Sequence, residues 1–269
     1  MTSDVTRLIS YYKSPLGRIT RALVREQIIA LSGDLKGRRV LGLGFSTPYL
    51  RFALEPAERV LAVMPERQGA SAWPREGPSH TVLCDPLEMP LADASIDITI
   101  AVHALEHVAD AEELMRELWR ITAPNGHLVL VVPRRRGIWA QRDATPFGQG
   151  NPYSGGQLEK LLRDHSFVPE AWRDGLFLPP IQSSLVLRSA RFFERVGRLF
   201  RPADERGHLC PRPQGSLPCR APPQACRTLC APAGPFGGNR PLKLREPLPL
   251  FRALHMVRAA FPACHKSAS

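Results

Sequence analysis

Between Arg39 and Pro133, five short and almost continuously apolar runs alternate with turns and helix-forming segments, and this alternation limits the fold more than any other feature of the chain. The runs are Arg39–Gly44, 59–63, Thr81–Cys84, Ile96–Val102 and 127–132. Strands that are apolar at nearly every position belong to a parallel sheet covered on both faces. Helices are expected over 48–54 and over Ala111–Ile121, where Leu114, Leu118 and Ile121 share one face and charges the other. An α/β, doubly wound, mostly parallel sheet follows. In such sheets ligands bind beyond the carboxyl ends of the strands, where the strand order reverses. That rule gathers the turns at 44–48, 64–66, 85–87 and 103–107 around one crevice.

Upstream, Leu8, Ile9, Leu16, Ile19, Leu23, Ile28 and Leu31 recur at helical spacing over residues 4–31, with a break at Ser14-Pro15 and an end at Gly33. Downstream, a polar Gly/Pro-rich loop over 134–157 precedes a helix over 156–164, a strand near 167–177 and a helix over 183–200. The last helix places Leu185, Phe192, Val196, Leu199 and Phe200 on one face and Arg188, Arg191, Arg195 and Arg198 opposite. Those arginines are either a solvated face or a contact for an anionic partner or membrane surface.

The formal net charge of +11 is unevenly placed. Residues 1–200 carry 25 Lys and Arg against 22 Asp and Glu, whereas residues 201–269 carry 11 against 3. The basicity therefore belongs to the tail, and nucleic-acid binding is not expected of the folded part. The tail also holds 12 of the 27 prolines and five of the six cysteines, with no sustained periodicity beyond a helix-like spacing over 248–261. We divide the chain into a domain, 1–200, and a tail, 201–269, expected to be mostly disordered. As a hypothesis, such Cys/Pro/Arg-rich text arises from a shifted reading frame or a late rearrangement. The tail cysteines are odd in number and lack Cys-x-x-Cys pairs, which argues against both a disulfide framework and a structural zinc site. No run is long enough to span a bilayer, and the first residues lack a signal-peptide layout, so the expected location is the cytoplasm.

Four landmarks carry a family resemblance. They are Val40-Leu41-Gly42-Leu43-Gly44-Phe45-Ser46-Thr47-Pro48; Cys84-Asp85-Pro86-Leu87-Glu88-Met89-Pro90-Leu91; Ser95-Ile96-Asp97-Ile98-Thr99-Ile100; and His103-Ala104-Leu105-Glu106-His107 before the helix that leads to Ala123-Pro124-Asn125-Gly126-His127. In order and spacing they resemble the class I S-adenosylmethionine-dependent methyltransferases, specifically the small bacterial type 11 branch. The resemblance covers roughly residues 1–200. It implies a Rossmann-like fold, S-adenosylmethionine as cofactor and a small-molecule methyl acceptor. It also implies a final antiparallel strand, for which no β-rich run is visible, so that strand is expected to be missing.

The same resemblance assigns cofactor contacts to Gly42, Gly44, Met64, Glu66, Asp85, Leu87 and His103. Relatives carry an acid at the position of Gly42 and glycines at those of Ser46 and Pro48, and their second strand ends in an acid where this chain has Met64, two residues before Glu66. Asp85 resembles the residue that accepts the adenine amino group, with Leu87 packed on the ring, whereas Asp97 at the far end of its strand reads as structural. His103, Glu106 and His107 are the catalytic candidates, because a neutral imidazole beside the acceptor can serve as general base. The alternative is that His103 contacts cofactor or core and Glu106-His107 caps the next helix. Arg134–Arg136 and the 145–154 loop could close over the acceptor. No metal ion is called for.

Methyl transfer from a sulfonium needs chiefly alignment and exclusion of water, so the leading reading is a methyltransferase. The second is a methyltransferase-fold protein without activity that acts as a binding or scaffold module, which the replaced residues at 42, 46, 48 and 64 favour. A dehydrogenase is disfavoured, because the glycine turn lacks a third spaced glycine.

Overall fold

The computed structural model describes residues 4–142, 145–181, 188–199 and 253–262. Two helices open the chain, α1 (Val5–Lys13) and α2 (Pro15–Ser32), broken at Ser14 as its sequence implies. Ser14 ends α1 and caps α2, its hydroxyl accepting from Gly17 N (3.0 Å) while Pro15 takes the first helical position. Then come β1 (Arg39–Gly44), β2 (Arg59–Pro65), β3 (Thr81–Cys84), β4 (Ile96–Val102), α3 (Ala111–Ile121), β5 (Thr122–Pro133), α4 (Gly155–Asp164), β6 (Val168–Gly175), α5 (Ala190–Leu199) and β7 (Leu254–Ala260).

The seven strands form one sheet in the order β3-β2-β1-β4-β5-β7-β6, parallel except for β7. Two apolar clusters cover its faces. Val40, Ile98, Ile100, Val129 and Val131 pack with α1 and α2, while Leu41, Leu43, Ala101, Leu128 and Leu130 pack with α3 and α4. Neighbouring strand residues point to opposite faces, so a strand apolar at every position feeds both clusters. Asp97, at the start of β4, accepts from Arg39 N (2.8 Å), Nε (2.9 Å) and Nη2 (3.1 Å), tying β1 to β4 at the end remote from the crevice.

Three expectations are corrected. The final strand is present: Leu254–Ala260, which has the spacing of a helix, lies antiparallel between β5 and β6, with Val257 opposite both Leu130 and Trp172. A slot between two strands, each offering an unpaired row of backbone groups, outweighs the helical spacing. This segment of the tail is integral to the sheet, which counts against the shifted-frame hypothesis for these residues. The rest of the tail up to residue 252 lies outside the described residues. Second, the expected helix over 48–54 is a single 3-10 turn at Leu50–Ala53. No helix stands between β2 and β4, and Val82 and Leu83 on the edge strand β3 are exposed. Third, α5 is rotated from expectation: Phe192 is 64% exposed, while Ala190 and Glu194 are buried and Phe193 packs on the core. Glu194 Oε1 accepts from Phe177 N (2.8 Å), which fixes that rotation. Arg188 and Arg195 are exposed, whereas the side chains of Arg191 and Arg198 lie outside the described residues.

Candidate functional site

The strand order reverses between β1 and β4, and the tips of β1 to β4 surround one crevice. Gly44 closes β1 at φ +72°, and a side chain there would strike the carbonyls of Val102 and His103. Only glycine permits that turn. Pro65 is in register with Cys84, so the residues that follow, Glu66 and Asp85, leave adjacent strands side by side. They share a cleft of about 220 Å³ whose lining includes Gln68, Leu87, Ala104 and His107. Asp85 Oδ1 accepts from Leu87 N (3.0 Å), which shapes the turn. Burial raises the pKa of the Cys84 thiol, and the charges of Asp85 and Glu66 raise it further, so Cys84 stays a thiol at neutral pH.

Behind the cleft lies a buried polar chain. Tyr49 Oη donates to Tyr12 Oη (2.8 Å), which pairs with His103 Nε2 (2.8 Å), and His103 Nδ1 pairs with Glu106 Oε1 (3.2 Å). His103 and Glu106 are each 1% exposed. Phe147 covers the imidazole at 4.7 Å between ring centres, and Asn151 N donates to Glu106 O (2.8 Å), so the loop after β5 is laid down on the β4 tip. The second carboxylate oxygen of Glu106 and both ring nitrogens of His107 are buried without a hydrogen-bond partner. Burial lowers the pKa of His107 and keeps its imidazole neutral at pH 7.

Of the residues expected from sequence, Glu66, Asp85, Leu87 and His107 line the cleft together. His103 sits behind it, with Ala104 presented instead. Met64 is fully buried in the core, its sulfur accepting from Ser71 N (3.4 Å). Gly42 is buried, and a side chain on it would meet Ser46 Oγ and Leu50. The Ser46 hydroxyl, itself buried without a partner, occupies the space that a side chain at position 42 would take. Arg134 is partly buried near Asp174 (3.9 Å), while Arg135 and Arg136 are exposed. Tyr12, Tyr49 and Gln68 escaped the sequence reading, and Phe147 entered it only as part of the 145–154 loop. Gln68 Nε2 donates to His103 O (2.8 Å) and leaves Oε1 unpartnered at the cleft. Nothing in the spacing of Tyr12, Tyr49 and Gln68 marks them, because each reaches the site from a different segment.

Residues 40–130 match the family model described as a methyltransferase domain, type 11. A probable S-adenosylmethionine-dependent methyltransferase of Mycobacterium tuberculosis is 35% identical over 98 residues, 35% of this chain and 34% of that one. The demethylmenaquinone methyltransferase of Thermus thermophilus is 26% identical over 138 residues, 50% of this chain and 56% of that one. Among solved structures, the geranyl diphosphate C-methyltransferase of Streptomyces coelicolor superposes with a TM-score of 0.53 at 13% identity, covering 91% of this chain and 80% of that one. This chain spans between 27% and 56% of the length of the curated relatives it matches.

In fold, and over residues 40–130 in sequence, the chain is similar to the class I S-adenosylmethionine-dependent methyltransferases.

The residues present fit one end of the class cofactor better than the other. Two carboxylates and a leucine around a cleft suit a nucleoside, and about 220 Å³ is below the roughly 300–1,000 Å³ of complete ligand sites. At the β1 turn the polar group offered is the neutral, unpartnered Ser46 hydroxyl. Among the described residues no helix is long and apolar enough to cross a membrane.

Proposed function

We propose that this chain transfers a methyl group from S-adenosylmethionine to a small-molecule acceptor. The observation that carries the reading is the pairing of Glu66 and Asp85 on adjacent strand tips, around one cleft floored by Leu87. Glu66 would accept from the ribose hydroxyls and Asp85 from the adenine amino group, with Leu87 against the ring. Gln68 Oε1 and the Ser46 hydroxyl are the neutral acceptors left for the remaining polar groups.

When bound, the cofactor supplies an electrophilic methyl group whose transfer needs an aligned acceptor more than covalent help. The loop after β5 excludes water through Phe147 and the fully buried Trp139, whose indole donates to Leu178 O (2.7 Å). His107 is the catalytic candidate that faces the cleft, and its neutral ring can take the acceptor's proton. A small-molecule acceptor is supported by the relatives, which act on demethylmenaquinone and geranyl diphosphate.

Calorimetric titration with S-adenosylmethionine and S-adenosylhomocysteine tests the reading. Micromolar binding is expected, and Asp85→Ala should weaken it by about tenfold or more, the loss of one hydrogen bond to a charged group. Absence of binding up to millimolar concentration would refute it. That outcome would support the second reading, a binding module without activity, which the replaced residues at 42, 46 and 48 favour.

A further inference from the structure

We propose that His103, Glu106 and His107 form a binding site for a first-row divalent transition-metal ion of the zinc type. The site goes beyond the methyl-transfer reading and does not depend on it.

Each of the three side chains offers one ligand atom, and these atoms lie within 4.8 Å of one another. Metal–ligand bonds of about 2.0–2.2 Å place neighbouring ligand atoms roughly 3–3.6 Å apart, so closure needs a contraction of up to about 1–2 Å. Side-chain torsions supply that without moving the backbone, which the Gly150–Asn151 segment packs against at Glu106 O.

Three features set this cluster apart from an ordinary core histidine. The first is chemical: two imidazoles and one carboxylate are the donor set of open zinc and iron sites, and the nitrogens disfavour magnesium and calcium. The second is that Glu106 Oε2 and both nitrogens of His107 are buried and unpartnered in one place. Buried polar atoms are almost always paired, so three orphans on two adjacent residues call for a missing ligand. The third is the surrounding support. His103 Nε2 is held by Tyr12, itself held by Tyr49, which leaves Nδ1 aimed at Glu106. Metal-ligating histidines are oriented in this way by a partner on the other nitrogen.

His107 also lines the cleft, which gives the ion an entry path and leaves a coordination position open toward the bound molecule. With an ion in place, His107 acts as ligand rather than proton acceptor, and an acceptor oxygen or nitrogen can occupy the open position.

The test is titration of the full, chelator-stripped chain with Co²⁺, followed by displacement with Zn²⁺. One equivalent of Co²⁺ is expected to give the visible bands of a nitrogen- and oxygen-ligated ion, and Glu106→Gln and His107→Gln should each weaken binding at least tenfold. A near-ultraviolet sulfur-to-cobalt band would place the ion on cysteine and overturn the proposal, as would no saturable binding. Should a variant lose its fold by circular dichroism, the cobalt spectrum of the parent chain still decides between these outcomes.

Discussion

Gly42 and Ser46 form a coupled pair, and exchanging them in both orders separates a damaged cofactor turn from a compensated one. A Cβ on residue 42 would land on Ser46 Oγ and Leu50 Cδ1. The leucine methyl is the end of a flexible side chain and can turn away, but Ser46 is fixed by the turn, its carbonyl accepting from Tyr49 N (2.9 Å). Gly42→Asp alone therefore overpacks a buried site, at a cost of about 1–3 kcal/mol. At roughly 2–4 °C per kcal/mol for a domain of this size, the melting temperature should fall by about 2–12 °C. Ser46→Gly alone removes an unpartnered hydroxyl and adds backbone freedom, two effects of opposite sign that leave stability within about 1 kcal/mol of the parent.

In the double variant the carboxylate gains the vacated space and can accept from the cofactor's ammonium group. A hydrogen bond to a charged group contributes roughly 1.5–3 kcal/mol, which is about 10- to 150-fold in affinity. Thermal melts and S-adenosylhomocysteine titrations of the four proteins in the cycle measure the coupling. If Gly42→Asp alone is as stable as the parent, Ser46 does not hold that space. If the double variant binds no tighter, the missing acid is not what limits affinity.

Asp97→Asn should cost about 1–2 kcal/mol at pH 7, the lower part of the range for charged hydrogen bonds because Arg39 is 36% exposed, as read by urea unfolding. The hydrogen bonds from Arg39 lower the folded pKa of Asp97 below its ordinary 3.8, so its contribution is complete above that value and is lost as pH falls through the folded pKa. The difference between parent and variant should therefore shrink only as pH falls below the ordinary 3.8 and through the lowered folded pKa, and a pH-independent difference would show that the ion pair is not its source. Met256→Ala, in the middle of β7, removes a fully buried side chain and should cost about 2–5 kcal/mol. An unchanged melting temperature would remove β7 from the sheet.

The parts of the fold legible in the sequence are those fixed by local pattern. β1, β3, β4, α3 and the Ser14-Pro15 break declare themselves through composition and capping residues close by. β7 does not, because a central strand buried on both faces shows no alternation, and Leu254, Val257 and Phe261 also fit a helix. Its state is decided by β5 and β6, more than seventy residues away in sequence. The rotation of α5 is likewise set from outside, by the Phe177 amide that Glu194 accepts from. At the crevice, Asp85 was legible because it directly follows a strand, and Glu66 only as a residue two beyond Met64, since β2 runs on to Pro65, whereas Tyr12 and Gln68 reach His103 from segments whose own patterns speak only of packing.

The distribution of unpaired polar atoms bears on whether this crevice is used at all. Asp97, Glu117 and Arg120, away from it, have charged or backbone partners, as a structural role requires. Ser46, Gln68, Glu106 and His107, from the tips of β1, β2 and β4, each leave a buried polar atom without one, as do His80, Thr99 and His255 elsewhere in the sheet region. Each such atom costs about 1–3 kcal/mol in a protein whose whole stability is about 5–15 kcal/mol. Apolar replacements at the strand tips would relieve that cost unless a ligand there supplies the missing partners. Binding of a nucleoside-bearing cofactor, an ion or both would give these four groups partners, and the calorimetric and cobalt titrations read that directly.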